Sequence, residues 1–556
     1  MNKAELSTTI AEIIKEKFAL DVVPELSRPE PQFGDVATNI ALKVAGMAGK
    51  KPRDVAEVLA DELREVDGII EASVAGPGFI NLRFDDAALL KNWSLALPQV
   101  YRHQSVVVEY SDPNPFKVLH AGHLYTSIMG DAIANLVEAA GANVHRVNFG
   151  GDVGLHVGKT MWAIIRELGG EHPDKLAEVD QDGRADWLAA RYVEGTTAYE
   201  DDERAKGEIT AYNRAVYALH TEGDHESDFA RIYWTCREWS YDYFNAFYDR
   251  IGTHFEKYYP ESQTADRGLK EVQAQIGEVF AESDGAVVFA GEAYGLHTRV
   301  FINREGLPTY ETKDVGLIFA KYDDYKFDKS VIITANEQEQ YMAVVLKAIE
   351  QFAPELALAT THLTHGLVKL AGGVKMSSRK GNFLRAVDVL DYADQANKQL
   401  NGENSDESVS LGAVKYAFLK QRMGGDIIYD PDESVSIHGN SGPYLQYAHA
   451  RACSITAKSQ ATAIDAAEAV FDENERALAV KLSEYTEVTA RAVEDMMPHH
   501  ICTYLYELAQ AFNRFYERSR IINDPREATR LLLVDRYQQT LAHGLGLLGI
   551  TAPEHL

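Results

Sequence analysis

The chain has 556 residues and a mass of 61.8 kDa, more than a single hydrophobic core organises, so three or more domains are expected. Hydrophobic residues at 46% and charged residues at 25% are those of an ordinary globular protein. The net charge of −29, from 55 basic and 84 acidic residues, excludes a non-specific nucleic-acid coat protein but leaves room for a local basic groove.

In chain order, residues 1 to about 100 read as a small mixed α/β domain. Ile10, Ile13, Ile14 and Phe18 recur at helical spacing, and so do Val55, Val58, Leu59 and Leu63 behind Pro52. Val74 to Leu82 reads as a turn entering a strand. Past a hinge near Pro98 the pattern changes. Val106-Val107-Val108-Glu109-Tyr110 is a buried strand, Ser111-Asp-Pro-Asn-Pro115 cannot continue it, a helix runs from near His120 to Gly141, and Val144 to Asn148 is the next strand. This is a βαβ unit of a doubly wound α/β sheet. Further parallel-sheet elements are expected near Arg299–Ile302, Ser330–Thr334 and Leu363–Leu370, with an acidic, aromatic-rich helical insertion at about 168–297. Beyond about residue 405 the periodicity is helical throughout, as in an all-α bundle. The expected domains are thus 1–100, 101–404 and 405–556.

Cys236, Cys453 and Cys502 lie far apart without CxxC spacing, so neither a metal site nor a disulfide framework is indicated, and a cytoplasmic setting fits. No apolar run suits a signal core or a membrane span.

Two segments carry chemistry. Asn114-Pro-Phe-Lys-Val-Leu-His-Ala-Gly-His123 puts two histidines and a glycine where a strand turns into a helix, the ligand-binding edge of doubly wound sheets. Helix N-terminal amides favour phosphate, and the N–H groups of His120 and His123 can donate to oxygens that gain charge as an α-phosphate is attacked. Gly122 leaves a flat floor for a base, and Lys117 can bring a cation to the triphosphate. The second segment, Gly372 to Asn382, is a glycine-hinged basic loop. In it Lys375, Arg379 and Lys380 can neutralise departing pyrophosphate, alongside Met376, Ser377 and Ser378. A solvated basic turn and a helix whose histidines only cap or pack are the plainer alternatives.

These segments resemble the HIGH and KMSKS loops of class I aminoacyl-tRNA synthetases. Longer strings resemble the arginyl-tRNA synthetases: Phe33-Gly-Asp-Val-Ala-Thr-Asn-Ile-Ala41, Gly76-Pro-Gly-Phe-Ile-Asn81, Val147-Asn-Phe-Gly-Gly-Asp152, Gly442-Pro-Tyr-Leu-Gln-Tyr-Ala-His-Ala-Arg451 and Tyr504 to Tyr516. The resemblance implies a Rossmann-like catalytic domain, an N-terminal domain meeting the tRNA elbow and an anticodon-binding helical domain. It implies ligation of L-arginine to tRNA(Arg) through an arginyl-adenylate, with ATP as substrate accompanied by Mg²⁺, and AMP and pyrophosphate released. It also places arginine against Glu109, Asn114, Tyr310, Asp314 and Gln338. Arg451, Arg514, Arg518 and Arg520, with Tyr516, are the basic and stacking residues expected to meet tRNA, while Phe512 is expected in the core. A monomer is expected. Ser378 stands where the second lysine of the KMSKS loop is usual, leaving Lys117, Arg379 or Lys380 to serve. A different class I synthetase, a small nucleotidyltransferase and a non-catalytic tRNA-binding relative are the competing readings. The helical C-terminal domain argues against the transferase, and the intact site residues against the non-catalytic relative.

Overall fold

The computed structural model describes all residues except 1–2, 92, 372–383 and 403–404. Its centre is a five-stranded parallel sheet in the order Thr360–His365, Lys329–Ala335, Ser105–Glu109, Asn143–Gly150, Lys257–Pro260. The central strand is a run of valines, Val106, Val107 and Val108, each wholly buried, because helices cover both faces and no alternation with polar residues is needed. Its last residue, Glu109, pairs in register with Ile332 on one side and Val147 on the other.

Two sequence expectations need correcting. Arg299–Ile302 is not part of the parallel sheet; it pairs antiparallel with Ala286–Phe289 in a separate three-stranded sheet. The 168–297 stretch is not a simple excursion either, since Lys257–Pro260 forms the edge strand of the main sheet. Periodicity misled in both places because four-residue strands carry too few positions to reveal a partner. The helical excursion proper comprises Arg184–Asp201, Glu203–Glu222 and Asp228–Ile251. It has its own core, in which Phe116 from the loop after the central strand packs with Val157, Met161, Tyr233 and Trp239.

The helices Glu261–Ala274 and Tyr310–Tyr325 touch backbone to backbone. A Cβ at Gly268 would lie 1.9 Å from the Thr312 carbonyl oxygen, and one at Gly316 2.0 Å from that of Thr264. Only glycine permits this approach, and Lys313 and Asp314 on the second helix are buried.

Residues 3–91 form a four-stranded antiparallel sheet with helices. From Gly442 onward all described regular structure is helical, while Ile427–Tyr429, within the 405–556 stretch read as all-α, pairs with Val368–Leu370. The two ends of the chain are tied together. Arg476 bridges Asp35 at 2.7 Å and Asp86, and Glu487 accepts from Arg28 at 2.9 Å and Lys3 at 2.7 Å. Asp35, in the Phe33-Gly-Asp string, is therefore buried in this joint. Gln446 and His449 of the Gly442-Pro-Tyr string donate to the carbonyls of Thr551 and Pro553 at 2.9 and 2.8 Å, clamping the C-terminal segment.

Candidate active site

His120 is the N-cap of the helix Ala121–Ala139, with extended backbone. Its Nδ1 accepts from the Gly122 amide at 3.1 Å, and its own amide donates to Nδ1 of His123 at 3.1 Å. The rings stack with centroids 3.8 Å apart. A neutral imidazole that accepts at Nδ1 carries its proton on Nε2. Both histidines are neutral: burial, then the nearby Lys117 ammonium, push His120 down to about 4. Burial, then His120 and Lys117, push His123 well below the usual histidine range. The reciprocal cap thus fixes both rings as Nε2–H donors. Gly122 is required here, because a Cβ would lie 2.9 Å from the His120 ring.

The preceding loop is bent by three non-glycine residues in the left-handed region, Ser111 (φ 75°), Asp112 (φ 49°) and Phe116 (φ 68°). Such conformations persist only where surroundings enforce them. Here the helix Asp228–Ile251 does so: Ser240 Oγ accepts from the Phe116 amide at 2.9 Å, and the Tyr243 hydroxyl from the Leu119 amide at 3.3 Å. Lys117 lies with its ammonium 4.6 Å from the ring centre of Tyr192, on the first excursion helix. The excursion therefore shapes the loop that carries the histidines.

Of the five residues assigned to arginine, the structure gathers most around one acidic corner. Glu109 is ion-paired with Lys321, both buried. Asn114 Oδ1 accepts from the Gly151 amide at 2.8 Å, bracing the Gly150-Gly151 turn. Asp314 is buried and accepts from the Tyr341 hydroxyl. Burial, then the neighbouring Glu109 and Glu261 carboxylates, raise its carboxyl well above the usual range, against the pull of Lys321. Gln338 is exposed at the end of the Lys329–Ala335 strand. Tyr310 is 59% exposed, with the Lys313 ammonium 5.1 Å from its ring centre. Behind this corner Lys313 pairs with Glu261 at 2.5 Å. Asp152 is held by Arg237 at 3.1 Å and by the Ser262 hydroxyl at 2.7 Å.

Lys375, Met376, Ser377, Ser378, Arg379 and Lys380 lie outside the described residues. On the helical domain Arg451 sits between the rings of Tyr447 and Tyr516, 5.1 and 5.9 Å from their centres, and both tyrosines are exposed. Arg514, Arg518 and Arg520 are exposed nearby in sequence. Phe512 is fully buried and stacks on Tyr537 at 3.9 Å.

Comparison with known proteins decides the family. Residues 86–430 match the family described as tRNA synthetases class I (R), catalytic domain. Residues 4–84 match the arginyl tRNA synthetase N terminal domain, and residues 445–556 the DALR anticodon binding domain. The chain belongs to the class I arginyl-tRNA synthetases. It is 30% identical to the arginine–tRNA ligase of Haemophilus influenzae, over 95% of this chain and 94% of that one. It is 31% identical to that of Synechococcus elongatus, again over 95% and 94%. Its structure is similar to that of the Thermus thermophilus arginyl-tRNA synthetase, with a TM-score of 0.81 at 28% identity over the whole of both chains. As a ligase of this family, the synthetase uses ATP to join arginine to tRNA.

Several residues of the synthetase's acidic corner carried no sequence signal. Lys321 is 212 positions from Glu109, and Lys313 is 52 from Glu261. Tyr341 follows Gln338 by one helical turn, which is the single local hint that it shares the sheet edge.

Proposed function

We infer that His120 and His123 bind the triphosphate through their Nε2–H groups and strengthen those bonds as charge builds on the α-phosphate. The observation that carries this is the reciprocal cap, which sets both tautomers before substrate arrives. ATP enters as its Mg²⁺ complex, with Lys117 on the phosphate side. No protein nucleophile is needed, since the carboxylate of arginine attacks the α-phosphate and pyrophosphate leaves; the chain contributes positioning and electrostatics. Arginine lies across the sheet edge, its guanidinium toward Asp314 and its amino-acid end toward Asn114 and Gln338. A planar fork suits carboxylates better than an ammonium does. Lys375, Arg379 and Lys380 complete the phosphate side.

The helical domain takes the anticodon loop, with the exposed Tyr447–Arg451–Tyr516 row as a stacking surface and Arg514, Arg518 and Arg520 on phosphates. The N-terminal domain meets the tRNA elbow, and the protein works as a monomer in the cytoplasm. Activation depends on bound tRNA. In support, the histidine helix Ala121–Ala139 packs on helices Glu407–Leu419, Tyr485–Asp495 and Glu527–Leu547. Lys415 donates to the Gly549 carbonyl at 2.6 Å, and Gly549 is so close that a Cβ would lie 3.0 Å from Asp131 on that helix. Docking on the bundle thus bears on the helix that holds the phosphates, a population shift between arrangements.

One experiment tests the reading. The protein is given Mg²⁺-ATP and each amino acid singly, with and without tRNA(Arg), and both pyrophosphate exchange and charged tRNA are followed. Exchange is expected for arginine alone and only with tRNA present. Strong arginine-dependent exchange without tRNA would overturn the coupling while leaving the assignment of residues standing.

A further inference from the structure

The acidic corner holds more carboxylate than fixed cation. Glu109, Asp112 and Asp314 are all at the C-terminal edge of the central strand or on the helix beside it. Glu109 is matched by Lys321, and Glu261, on the neighbouring helix, by Lys313. Asp112 accepts from the Phe149 amide at 2.9 Å. Asp314 has no lysine or arginine within ion-pair distance among the described residues. Its Oδ2 accepts from the Tyr341 hydroxyl, and its Oδ1 takes no hydrogen bond from any described residue. Tyr341 comes from a different helix, Glu339–Glu350, and is itself held from behind: the Arg299 guanidinium lies 5.5 Å from its ring centre and pairs with Glu311 at 3.1 Å. A buried carboxylate without a counter-charge is costly, and the usual resolution is to bind a proton.

We propose that Tyr341 is a specificity-determining residue of the arginine site: it holds one oxygen of Asp314, leaving the other for the guanidinium, which enters in exchange for the Asp314 proton. The proposal rests on Asp314 belonging to the arginine pocket. The balance is simple. The Asp314 carboxylic acid loses its O–H proton to solvent, the carboxylate pairs with the incoming guanidinium, and the charge within the corner is unchanged. The groups facing Asp314 are Glu109 on the strand, Asp112 on the following loop, Glu261 on the adjoining helix, Lys321 on its own helix and Tyr341 on the next. None except arginine's own side chain supplies the missing partner. Citrulline, which has the same shape and no charge, cannot replace the proton and is refused.

Tyr341→Phe removes only the hydroxyl. The expected result is a rise of about tenfold or more in the KM for arginine, the loss of one hydrogen bond to a charged group, with the KM for ATP and kcat little changed. The KM-versus-pH profile for arginine should also move to higher pH, because Asp314 without that donor keeps its proton longer. Calorimetry of arginine binding to the tRNA-bound parent, in buffers of different ionisation heat, should show release of up to about one proton, and citrulline should release none. An unchanged KM and pH profile in Tyr341→Phe, or equal loss of arginine and ATP use, would overturn the proposal, as would arginine binding without proton release. Asp314→Asn separates the two levels. If it too leaves the arginine KM unchanged, the pocket assignment fails; if it raises that KM while Tyr341→Phe is silent, only the role of Tyr341 fails.

Discussion

The two sides of the proposed active site, one assigned to phosphate and the other to arginine, are built in opposite ways. On the phosphate side the histidines are neutral donors, and each is oriented by a backbone amide two or three residues away. On the arginine side the groups are carboxylates, and each is oriented by a side chain from another helix: Lys321 on Glu109, Tyr341 on Asp314, Lys313 on Glu261. A site for an anion can be assembled from helix-end amides and uncharged rings, which need no counter-charge when empty. A site for a cation needs buried negative charge, which must be met from elsewhere in the fold until substrate comes. The histidine cap is therefore locally determined, whereas the loop that leads to it and the arginine side are not.

The arginine side is most vulnerable at Lys321. Lys321→Met leaves Glu109 buried without its cation and should cost about 3–5 kcal/mol of stability, read as a lowered unfolding midpoint. A variant as stable as the parent would mean that the Glu109–Lys321 pair adds nothing net to the fold. His123→Ala should act on chemistry instead. Adenylate formation with saturating tRNA is expected to fall by about 10²–10³, with the arginine KM nearly unchanged and the fold intact. Near-parental exchange would make His123 a packing residue and remove the phosphate side of the contrast.

The smallest effect expected is on pH. His120 has a folded pKa of about 4 against 6.5 when unfolded. Its contribution to stability is therefore fully present above pH 6.5 and is lost as pH falls through about 4. Asp314 has the opposite sign. Its raised carboxyl contributes fully below the ordinary carboxylate range, and that contribution is lost as pH rises through the elevated folded value. Arginine supplies the counter-charge, so the thermal stabilisation it gives should grow with pH over that interval. A stabilisation by arginine that is flat with pH would place Asp314 as an ionised carboxylate throughout.

What the sequence by itself determined follows the range of the interactions involved. The central strand is legible in three consecutive valines, and the helix start in His120 and His123. Both depend on neighbours within a few residues, and the reciprocal cap that fixes the tautomers closes within four. Phe512 was legible as core from its place in an amphipathic helix, and it is fully buried. The strand Lys257–Pro260 was missed because four residues, Lys-Tyr-Tyr-Pro, carry no period; only the neighbouring strand Asn143–Gly150 makes them an edge. Tyr310 and Tyr341 are both tyrosines close to the sheet edge. Tyr310 opens the helix that carries Asp314, while Tyr341 comes from the helix Glu339–Glu350, and only the packing of those two helices brings the Tyr341 hydroxyl to the Asp314 carboxylate. Local hydrogen bonds and β-branched runs make the histidine cap and the central strand legible in the sequence. The arginine side was decided only in the tertiary structure, because a buried charge takes its partner from whichever helix packs against it.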